Sequence, residues 1–513
     1  MGIFRSKTKL KILFITSEET PFAKAGGLGE VMFSLPRALR DLGHDARVMT
    51  PRYAGIEVRS GLDNFKLAYE DLTVPTAPEN KGKELLCNVW RYDPNSDQKS
   101  PVTSYFLENQ EYYELRSNVY GYVDDALRFA LLSRGCLEFL NSSQDWLPDI
   151  IVASDWMTGF LPNFLKTDYK EYVRLSSITT VFSIHNIAMQ GIKHKYVAEM
   201  DRDDGHGPIP DFFSPRMKKI NALRRGIMHA NVINTVSPTY AQEIMTEEFG
   251  EGLDALLRER RSRVYGILNG IDYDTNNPAE DPFLEKKFDA NFNDERVENK
   301  VALQKRFGLS ENKNVFVAGI VSRLTKQKGF DLLKEAMDHF LKISGAQLIV
   351  VGSGETTYMD YFQALEKKFP DQVRAHMQFD ESMPHLVYGG ADVALIPSYF
   401  EPSGLTQMEA MRFGAIPVAR KIGGLADSIK DYSPEKDEGD GFLFEDFDSI
   451  SFLMALTRSY VNWRHHDSWK RMQKRAMQKD FSWIRSAKEY EKVFNRAIEI
   501  HKEDSEKIET PVN

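Results

Sequence analysis

Residues 11–50 are KILFITSEETPFAKAGGLGEVMFSLPRALRDLGHDARVMT, and the order of elements within them points to one class of fold. A short β-rich strand over 11–16 is followed by a glycine-rich loop, a helix-like stretch over 31–42 and a second strand over 47–50. A strand, loop, helix and strand in this order form a βαβ unit. The pattern predicts a doubly wound α/β sheet, in which ligands bind at the carboxyl ends of the strands.

More apolar strands are predicted further along the chain, in two series. They lie at 150–153 and 180–184 in the first half, and at 315–321, 347–351 and 393–396 in the second. A stretch over 271–300, rich in Asn, Asp, Glu and Pro, separates the two series and is typical of a linker. We therefore predict two Rossmann-like doubly wound domains, 1–270 and 301–484, that face a central cleft.

Composition limits the classes of partner. The chain has 513 residues, 42% of them hydrophobic, and 66 Lys and Arg against 75 Asp and Glu give a formal charge of -9. This charge disfavours nonspecific binding to nucleic acid or to an anionic membrane, and no apolar run approaches the roughly 20 residues that span a bilayer. The two cysteines, Cys87 and Cys136, are too few for a disulfide framework and lack metal-ligand spacing. We expect a cytoplasmic protein that binds neither nucleic acid nor a membrane.

Two loops at strand ends carry basic residues where an anion could bind. In the first loop, Lys24 precedes Gly26 and Gly27, whose backbone amides can approach an anion at the start of the helix. In the second loop, Arg323 and Lys328 follow a strand and would converge on a diphosphate. Each loop also has a simpler interpretation, a tight turn in the first case and solvated surface charges in the second.

Polar residues follow three other predicted strands. Glu401 follows 393–396 and precedes a helix start whose backbone amides can receive phosphate. This helix start comprises Ser403, Gly404, Leu405 and Thr406. Glu409, further along the same helix, either binds a ribose hydroxyl or is simply helix surface. Asp155 and His185 follow two strands of the first series, although a lone histidine in such a place is more often structural.

Nine motifs in order resemble those of bacterial glycogen synthases and plant starch synthases, which are glycosyltransferases of the GT-B fold. They are KAGGLGEV (24–31), YVDDALRFALL (122–132), SDWMTG (154–159), IHN (184–186), TVSPTYAQEI (235–244), GILNGID (266–272), VSRLTKQKG (321–329), FEPSGLTQMEAM (400–411) and GGLADS (423–428). The resemblance spans residues 11 to about 494. It implies a GT-B fold, in which the last helix, about 485–513, returns to the first domain.

The resemblance implies roles in binding the sugar donor. Lys24 and the Gly26-Gly27 loop would contact donor phosphate and glucose, and Arg323 and Lys328 would bind the diphosphate. The helix start after Glu401 would hold phosphate through its amides. A nucleotide-sugar donor bound in this way needs no metal and no cofactor.

The resemblance also implies roles at the reacting sugar. Glu401 would hydrogen-bond the transferred glucose and offset the positive charge that develops at its anomeric carbon. His185 would touch the hydroxymethyl end of the sugar, with Asp155 and Asn269 shaping the acceptor side. Phe379 falls where the family usually has a Tyr that stacks on adenine.

Four positions depart from the family pattern. Glu30 stands for the usual Asp, Ser403 for the usual Cys, Phe379 for the usual Tyr, and SDWM for the frequent HDWH around Asp155. The first three changes keep the acid, the backbone amides and the stacking face. The fourth change removes both histidines that flank Asp155-Trp156, and it affects the acceptor side rather than the donor side.

The activity implied by the resemblance is retaining transfer of glucose from ADP-glucose to the non-reducing end of an α-1,4-glucan. Two other functions stay open at this point. One is a different GT-B enzyme that uses UDP-glucose or a small acceptor. The other is a catalytically silent glucan-binding protein that keeps the fold.

Overall fold

A computed structural model of the chain describes residues 9–78, 82–94, 99–144, 146–191, 203–291, 293–378, 380 and 382–509. By their internal contacts the residues form two compact units. Unit 1 comprises Met1–Val236, Ala241–Ile267 and Trp483–Asn513, and unit 2 comprises Ser237–Tyr240 and Leu268–Ser482.

Unit 1 contains a nine-stranded sheet in the order β3-β4-β5-β2-β1-β6-β7-β8-β9. Its strands are β1 (Lys11–Ile15), β2 (Asp45–Pro51), β3 (Phe65–Pro75), β4 (Glu84–Tyr92), β5 (Thr103–Glu108), β6 (Ile150–Ser154), β7 (Thr179–Ile184), β8 (Val232–Thr235) and β9 (Val264–Gly266). The helices along this part of the chain are α1 (Gly27–Asp41), α2 (Ile56–Ser60), α3 (Asp125–Ser142), α4 (Asp155–Thr158), α5 (Phe160–Lys166), α6 (Val173–Ser176), α7 (Ala222–His229), α8 (Pro238–Glu243) and α9 (Asp254–Glu259), with short helical turns at Gln110–Glu114, Pro215–Lys219 and Arg261–Arg263. Only the β3-β4 and β4-β5 pairs are antiparallel, so the centre of the sheet is the parallel, doubly wound arrangement that the sequence predicts.

The glycine-rich loop is shorter than predicted, because α1 begins at Gly27 rather than at residue 31. Gly29 therefore lies in the first helical turn, where a Cβ atom would come 3.2 Å from the Thr20 hydroxyl oxygen. This close approach accounts for the glycine at position 29, although glycine otherwise disfavours helices. Further along α1, Val31, Leu35 and Leu39 are buried against the sheet side of the helix.

Unit 2 contains a six-stranded, fully parallel sheet in the order β12-β11-β10-β13-β14-β15. Its strands are β10 (Val317–Val321), β11 (Gln347–Val351), β12 (Val373–His376), β13 (Val393–Ile396), β14 (Ile416–Arg420) and β15 (Phe442–Phe444). Its helices are α10 (Arg296–Arg306), α11 (Asp331–Ser344), α12 (Thr356–Lys368), α13 (Ser382–Gly390), α14 (Thr406–Arg412), α15 (Gly423–Ser428), α16 (Ser449–Trp463) and α17 (His466–Gln478), with short turns at Asn293–Glu295 and Lys326–Lys328. The strands alternate with helices, as doubly wound sheets require.

The stretch 271–300, predicted as a linker, instead packs within unit 2. Leu284 and Phe288 are buried, and α10 already begins at Arg296. The Arg296 side chain is buried as well, and its guanidinium donates to the backbone carbonyls of Phe413, Tyr388 and Ala391 at 2.6–2.7 Å. Polar composition was misleading here, because these polar groups are satisfied by backbone partners distant in sequence.

The last helix, α18 (Trp483–Glu509), groups with unit 1. It buries Ala487, Phe494 and Ala497, and Glu491 pairs with the buried His44 at 2.9 Å. No helix in the described part of the chain is long and apolar enough to cross a membrane.

Candidate active site

In unit 1 the glycine loop closes around a carboxylate of the protein itself. Glu18, three residues beyond the end of β1, accepts hydrogen bonds from the backbone amides of Ala25 and Gly26, both at 2.6 Å. Its other oxygen accepts from the Tyr120 hydroxyl at 2.5 Å. Of the amides predicted to receive donor phosphate, that of Gly26 therefore already donates to a carboxylate of the protein, as loop amides donate to bound anions.

Lys24 lies beside this loop and points to solvent. Its ammonium pairs with Glu30 at 2.5 Å, and the two side chains are 51% and 43% exposed. An ion pair this exposed contributes about 0–1 kcal/mol and exchanges readily with other partners. Lys24 is therefore available to a bound anion at small cost.

Asp155 and His185 come together at the carboxyl ends of β6 and β7. Asp155 accepts from the backbone amide of His185 at 2.7 Å and from that of Asn186 at 3.3 Å. Asp155 is buried and has a φ of 54°, in the left-handed region that few residues other than glycine adopt. Backbone strain of this kind persists only where surrounding contacts hold it.

Burial controls the charge of both side chains. Desolvation raises the pKa of Asp155 to about 7, against the lowering effect of its two backbone hydrogen bonds. Desolvation also lowers the pKa of His185 to about 4, so the imidazole is neutral at pH 7. Its Nε2 lies 3.2 Å from the Ser183 hydroxyl. A neutral His185 can offer hydrogen bonds to a sugar but no positive charge.

In unit 2 the basic loop after β10 meets the acid after β13. The Lys328 ammonium lies 2.6 Å from a carboxylate oxygen of Glu401, and Ser398 donates to the same oxygen at 2.9 Å. The Glu401 side chain is only 8% exposed and that of Lys328 19%. Arg323 is exposed, and its guanidinium has no hydrogen bond or ion pair with any residue of the described ranges. The structure thus unites Lys328 with Glu401 and leaves Arg323 open to solvent.

The helix start after Glu401 is tightly built. Gly404 has a φ of 67°, and a Cβ atom on Gly424 would lie 1.8 Å from the Ser403 carbonyl oxygen. The buried Ser403 hydroxyl has no hydrogen-bond partner in the described part of the chain. Leu405 precedes α14, which begins at Thr406, as predicted. Buried polar atoms are rarely left unpaired, so this hydroxyl is a candidate contact for a ligand.

Three further predicted site residues have different outcomes. Glu409 is half-buried on α14. Asn269 groups with unit 2 rather than with the first domain, because unit 2 begins again at Leu268. Its side chain is buried and its amide oxygen has no partner within the described residues. Phe379 lies outside the described residues. No group of three or more His, Cys, Asp and Glu suited to a metal ion occurs among the residues that the structure describes.

Sequence reasoning missed Glu18, Tyr120 and Ser398. Glu18 and Ser398 follow strands directly and could have been found by the rule that placed Asp155 and Glu401. Tyr120 could not, because its contact with Glu18 joins residues 102 positions apart.

Comparison with known proteins supports the assignment of the fold. Residues 11–259 match the family model described as the starch synthase catalytic domain. Residues 302–478 match the model described as glycosyl transferases group 1. A chain of two α/β units that matches these two models in succession is a glycosyltransferase of the GT-B class.

Similar individual proteins show which family of this class the chain belongs to. The chain is 39% identical over 496 residues to a glycogen synthase of Thermotoga maritima, covering 95% of this chain and 99% of the relative. It is 38% identical over 489 residues to a glycogen synthase of Clostridium novyi, covering 95% and 99%. Among solved structures, the catalytic domain of starch synthase IV from Arabidopsis thaliana, bound to ADP and acarbose, superposes with a TM-score of 0.80 at 33% identity, covering 96% of this chain and all of that one. The chain belongs to the glycogen synthase and starch synthase family, and the predicted family and GT-B fold are confirmed.

Proposed function

We propose that this protein elongates an α-1,4-glucan by transferring glucose from ADP-glucose to the non-reducing end of the chain, with retention of configuration. The observation that carries the proposal is the ion pair of Lys328 with the buried Glu401, in the same loop as the exposed Arg323. The relative of known structure that was bound to ADP and acarbose, a nucleotide and a glucan-like sugar, supports the same donor and acceptor classes.

In the proposed reaction Arg323 and Lys328 bind the donor diphosphate. Both residues lie in the loop after β10, so their positive charges would stabilise the negative charge that develops on the leaving phosphate. The amides and hydroxyl at Ser403–Thr406 would hold the same group. Glu409 would bind the ribose and Phe379 would stack on the adenine. Lys24 and the Gly26-Gly27 loop of unit 1 would contribute to the same donor.

Glu401 would hydrogen-bond the transferred glucose and offset positive charge at its anomeric carbon. No side chain is an evident covalent nucleophile, so the acceptor hydroxyl attacks from the face that the phosphate leaves. The bond from the anomeric carbon to the phosphate oxygen breaks, a bond to the acceptor oxygen forms, and the acceptor proton passes to the leaving phosphate. His185, neutral at pH 7, would contact the sugar, with Asp155 fixing its backbone and Asn269 shaping the acceptor side.

The test is glucan elongation by Glu401→Ala and Lys328→Ala variants with ADP-glucose and glycogen. Removing one group that stabilises developing charge is expected to lower kcat about 100- to 1000-fold. Lys430→Ala is the matched control, because Lys430 pairs with Glu438 at 2.7 Å on the exposed surface of the same unit. Near-normal turnover by both site variants would refute the assignment of the site.

The donor is tested by nucleotide release from ADP-glucose, UDP-glucose and GDP-glucose, each with and without glycogen. The proposal expects ADP-glucose to be preferred and release to depend on glycogen. Preference for another nucleotide, or release with a small sugar acceptor, would indicate a different GT-B enzyme. Glycogen binding without release from any donor would indicate a silent glucan-binding protein.

A further inference from the structure

An exposed aromatic surface lies at the carboxyl edge of the unit 2 sheet, beside the Lys328–Glu401 pair. Tyr399 is 38% exposed and packs edge-on against Phe447, with ring centroids 5.0 Å apart. The Arg420 guanidinium lies 5.8 Å from the Tyr399 ring centre and 5.2 Å from that of Phe447. We call Tyr399, Phe447 and Arg420 the aromatic ledge.

The ledge is fixed in place by hydrogen bonds on both sides. The Tyr399 amide donates to the Gln327 carbonyl at 2.8 Å, and the Tyr399 carbonyl accepts from Arg420 at 2.6 Å. Arg420 also donates to the Glu445 carbonyl at 3.1 Å. An exposed ring with a fixed backbone loses little conformational entropy when a ligand packs on it.

The ledge adjoins the loop that carries Lys328. A Cβ atom on Gly329 would lie 3.0 Å from the Phe447 ring and 1.9 Å from the Pro397 carbonyl oxygen, so glycine is required for this contact. Tyr399 itself stands two residues before Glu401, whose side chain is buried while the Tyr399 ring is exposed. The ledge therefore presents apolar surface next to the residues proposed to hold the diphosphate and the glucose.

Strand order indicates which ligand the ledge would meet. The residue proposed to stack on the base follows β12 in sequence, the diphosphate loop follows β10, and Glu401 follows β13. Arg420 ends β14 and Phe447 follows β15, on the side of β13 away from β12. Neighbouring strands are about 4.8 Å apart, so the diphosphate loop, then Glu401 with Tyr399, then Arg420 and Phe447 follow one another along the edge of the sheet. A ligand on the ledge would therefore extend from the glucose at Glu401 toward β14 and β15, away from β12.

We propose that the aromatic ledge of Tyr399, Phe447 and Arg420 binds glucose units of the acceptor glucan and thereby sets acceptor affinity. A glucose ring has an apolar C–H face and a polar rim of hydroxyls, which match an aromatic ring flanked by a guanidinium. The inference rests on the proposed function, because it takes the glucan as the second substrate.

The test compares Tyr399→Ala and Tyr399→Phe with the unaltered protein in two measurements. One is direct binding of glycogen and maltoheptaose in the presence of ADP, and the other is the KM for glycogen and for ADP-glucose. Tyr399→Ala is expected to weaken glucan binding and raise the glycogen KM about five- to tenfold, while the ADP-glucose KM changes less than about twofold. Tyr399→Phe keeps the stacking face and is expected to behave like the unaltered protein.

Tyr172→Ala serves as the control, because Tyr172 is 43% exposed on unit 1 and packs against Tyr169 at 5.1 Å between ring centroids. A larger rise in the ADP-glucose KM than in the glycogen KM would overturn the proposal and place the nucleotide on the ledge. Unchanged glucan binding by Tyr399→Ala, or an equal loss in Tyr399→Phe, would overturn it as well. If the unaltered protein elongates no glucan with any donor, the proposed function is refuted instead. Direct glucan binding by the variants then still tests whether the ledge binds glucan.

Discussion

Carboxylates at the strand ends have different kinds of partner in the two units. In unit 1, Glu18 and Asp155 accept hydrogen bonds from backbone amides. In unit 2, Glu401 accepts from the side chains of Lys328 and Ser398. Backbone amides are fixed by the fold, whereas an ammonium on a flexible stem can change partners when a second anion arrives.

This difference assigns the units different physical tasks. Burial in unit 1 raises the pKa of Glu19 to about 8 and that of Asp155 to about 7, which lowers the negative charge that these two carboxyl groups carry near neutral pH. In unit 2, by contrast, the buried carboxylate of Glu401 is paired with the ammonium of Lys328, and Arg323 is exposed to solvent. Unit 1 is therefore suited to recognising a ligand by its shape and hydrogen bonds. Unit 2 is suited to stabilising charge that develops during a reaction.

The largest expected effect tests whether unit 1 keeps its acids neutral. Glu19 is fully buried, and within the described ranges only the Ser104 hydroxyl donates to its carboxyl group, at 2.5 Å. Because the folded pKa is raised from 4.5 to about 8, its contribution to stability is complete below pH 4.5 and is lost as the pH rises to about 8. At about 1.4 kcal/mol per pKa unit, the loss reaches up to about 5 kcal/mol.

Glu19→Gln stays neutral, so its unfolding midpoint in urea should fall less than that of the unaltered protein between pH 5 and pH 8. Glu84→Gln, at an exposed position at the start of β4, is the control and should follow the unaltered protein at every pH. Parallel curves for Glu19→Gln and the unaltered protein would mean that Glu19 is charged in the fold. The contrast between the units would then be wrong.

The next effect tests the backbone partners of Asp155. Asp155→Ala leaves two amides without their acceptor and keeps a φ of 54° that alanine tolerates poorly, so we expect a loss of about 2–4 kcal/mol in the free energy of unfolding. Asp155→Gly relieves the backbone strain but does not restore the lost hydrogen bonds, so its loss in free energy of unfolding should lie between those of Asp155→Ala and Asp155→Asn. Asp155→Asn keeps an acceptor and tolerates this φ, so it should cost least. Urea unfolding of the three variants gives the order, and equal losses in all three would show that neither the amides nor the strain matters.

The local pattern of the sequence predicts much of this architecture. β11 and β13 have the predicted bounds, and β1, β2, β6 and β7 each differ from the predicted bounds by three residues at most, because short apolar runs between turn residues mark buried parallel strands. The same rule located Asp155, His185, Lys328 and Glu401 at strand ends. These features depend on neighbouring residues, which the sequence displays directly.

Features that depend on distant partners were not predictable in this way. The burial of Arg296 requires carbonyls more than 90 positions away, and Ser237–Tyr240 groups with unit 2 through Thr239, which bonds Asp427 at 2.7 and 2.8 Å. The hydrogen bonds from the amides of Ala25 and Gly26 to Glu18 form only when the chain folds back over seven or eight residues. Composition cannot reveal such contacts, because it is the same whether the polar side chains form hydrogen bonds to water or to the backbone.

The smallest expected effect concerns Lys24, the basic residue of the glycine-rich loop in unit 1. Lys24 pairs with Glu30 at an exposed position, so Glu30→Gln should change the free energy of unfolding by less than about 0.5 kcal/mol. If Lys24 binds donor phosphate as proposed, the variant also removes a competing carboxylate, so the ADP-glucose KM should fall about twofold at low salt and less at high salt, where the charges are screened. Steady-state kinetics at two ionic strengths measures both. An ADP-glucose KM that does not respond to Glu30→Gln at either salt would show that Lys24 does not meet the donor, and that charge recognition belongs to unit 2 alone.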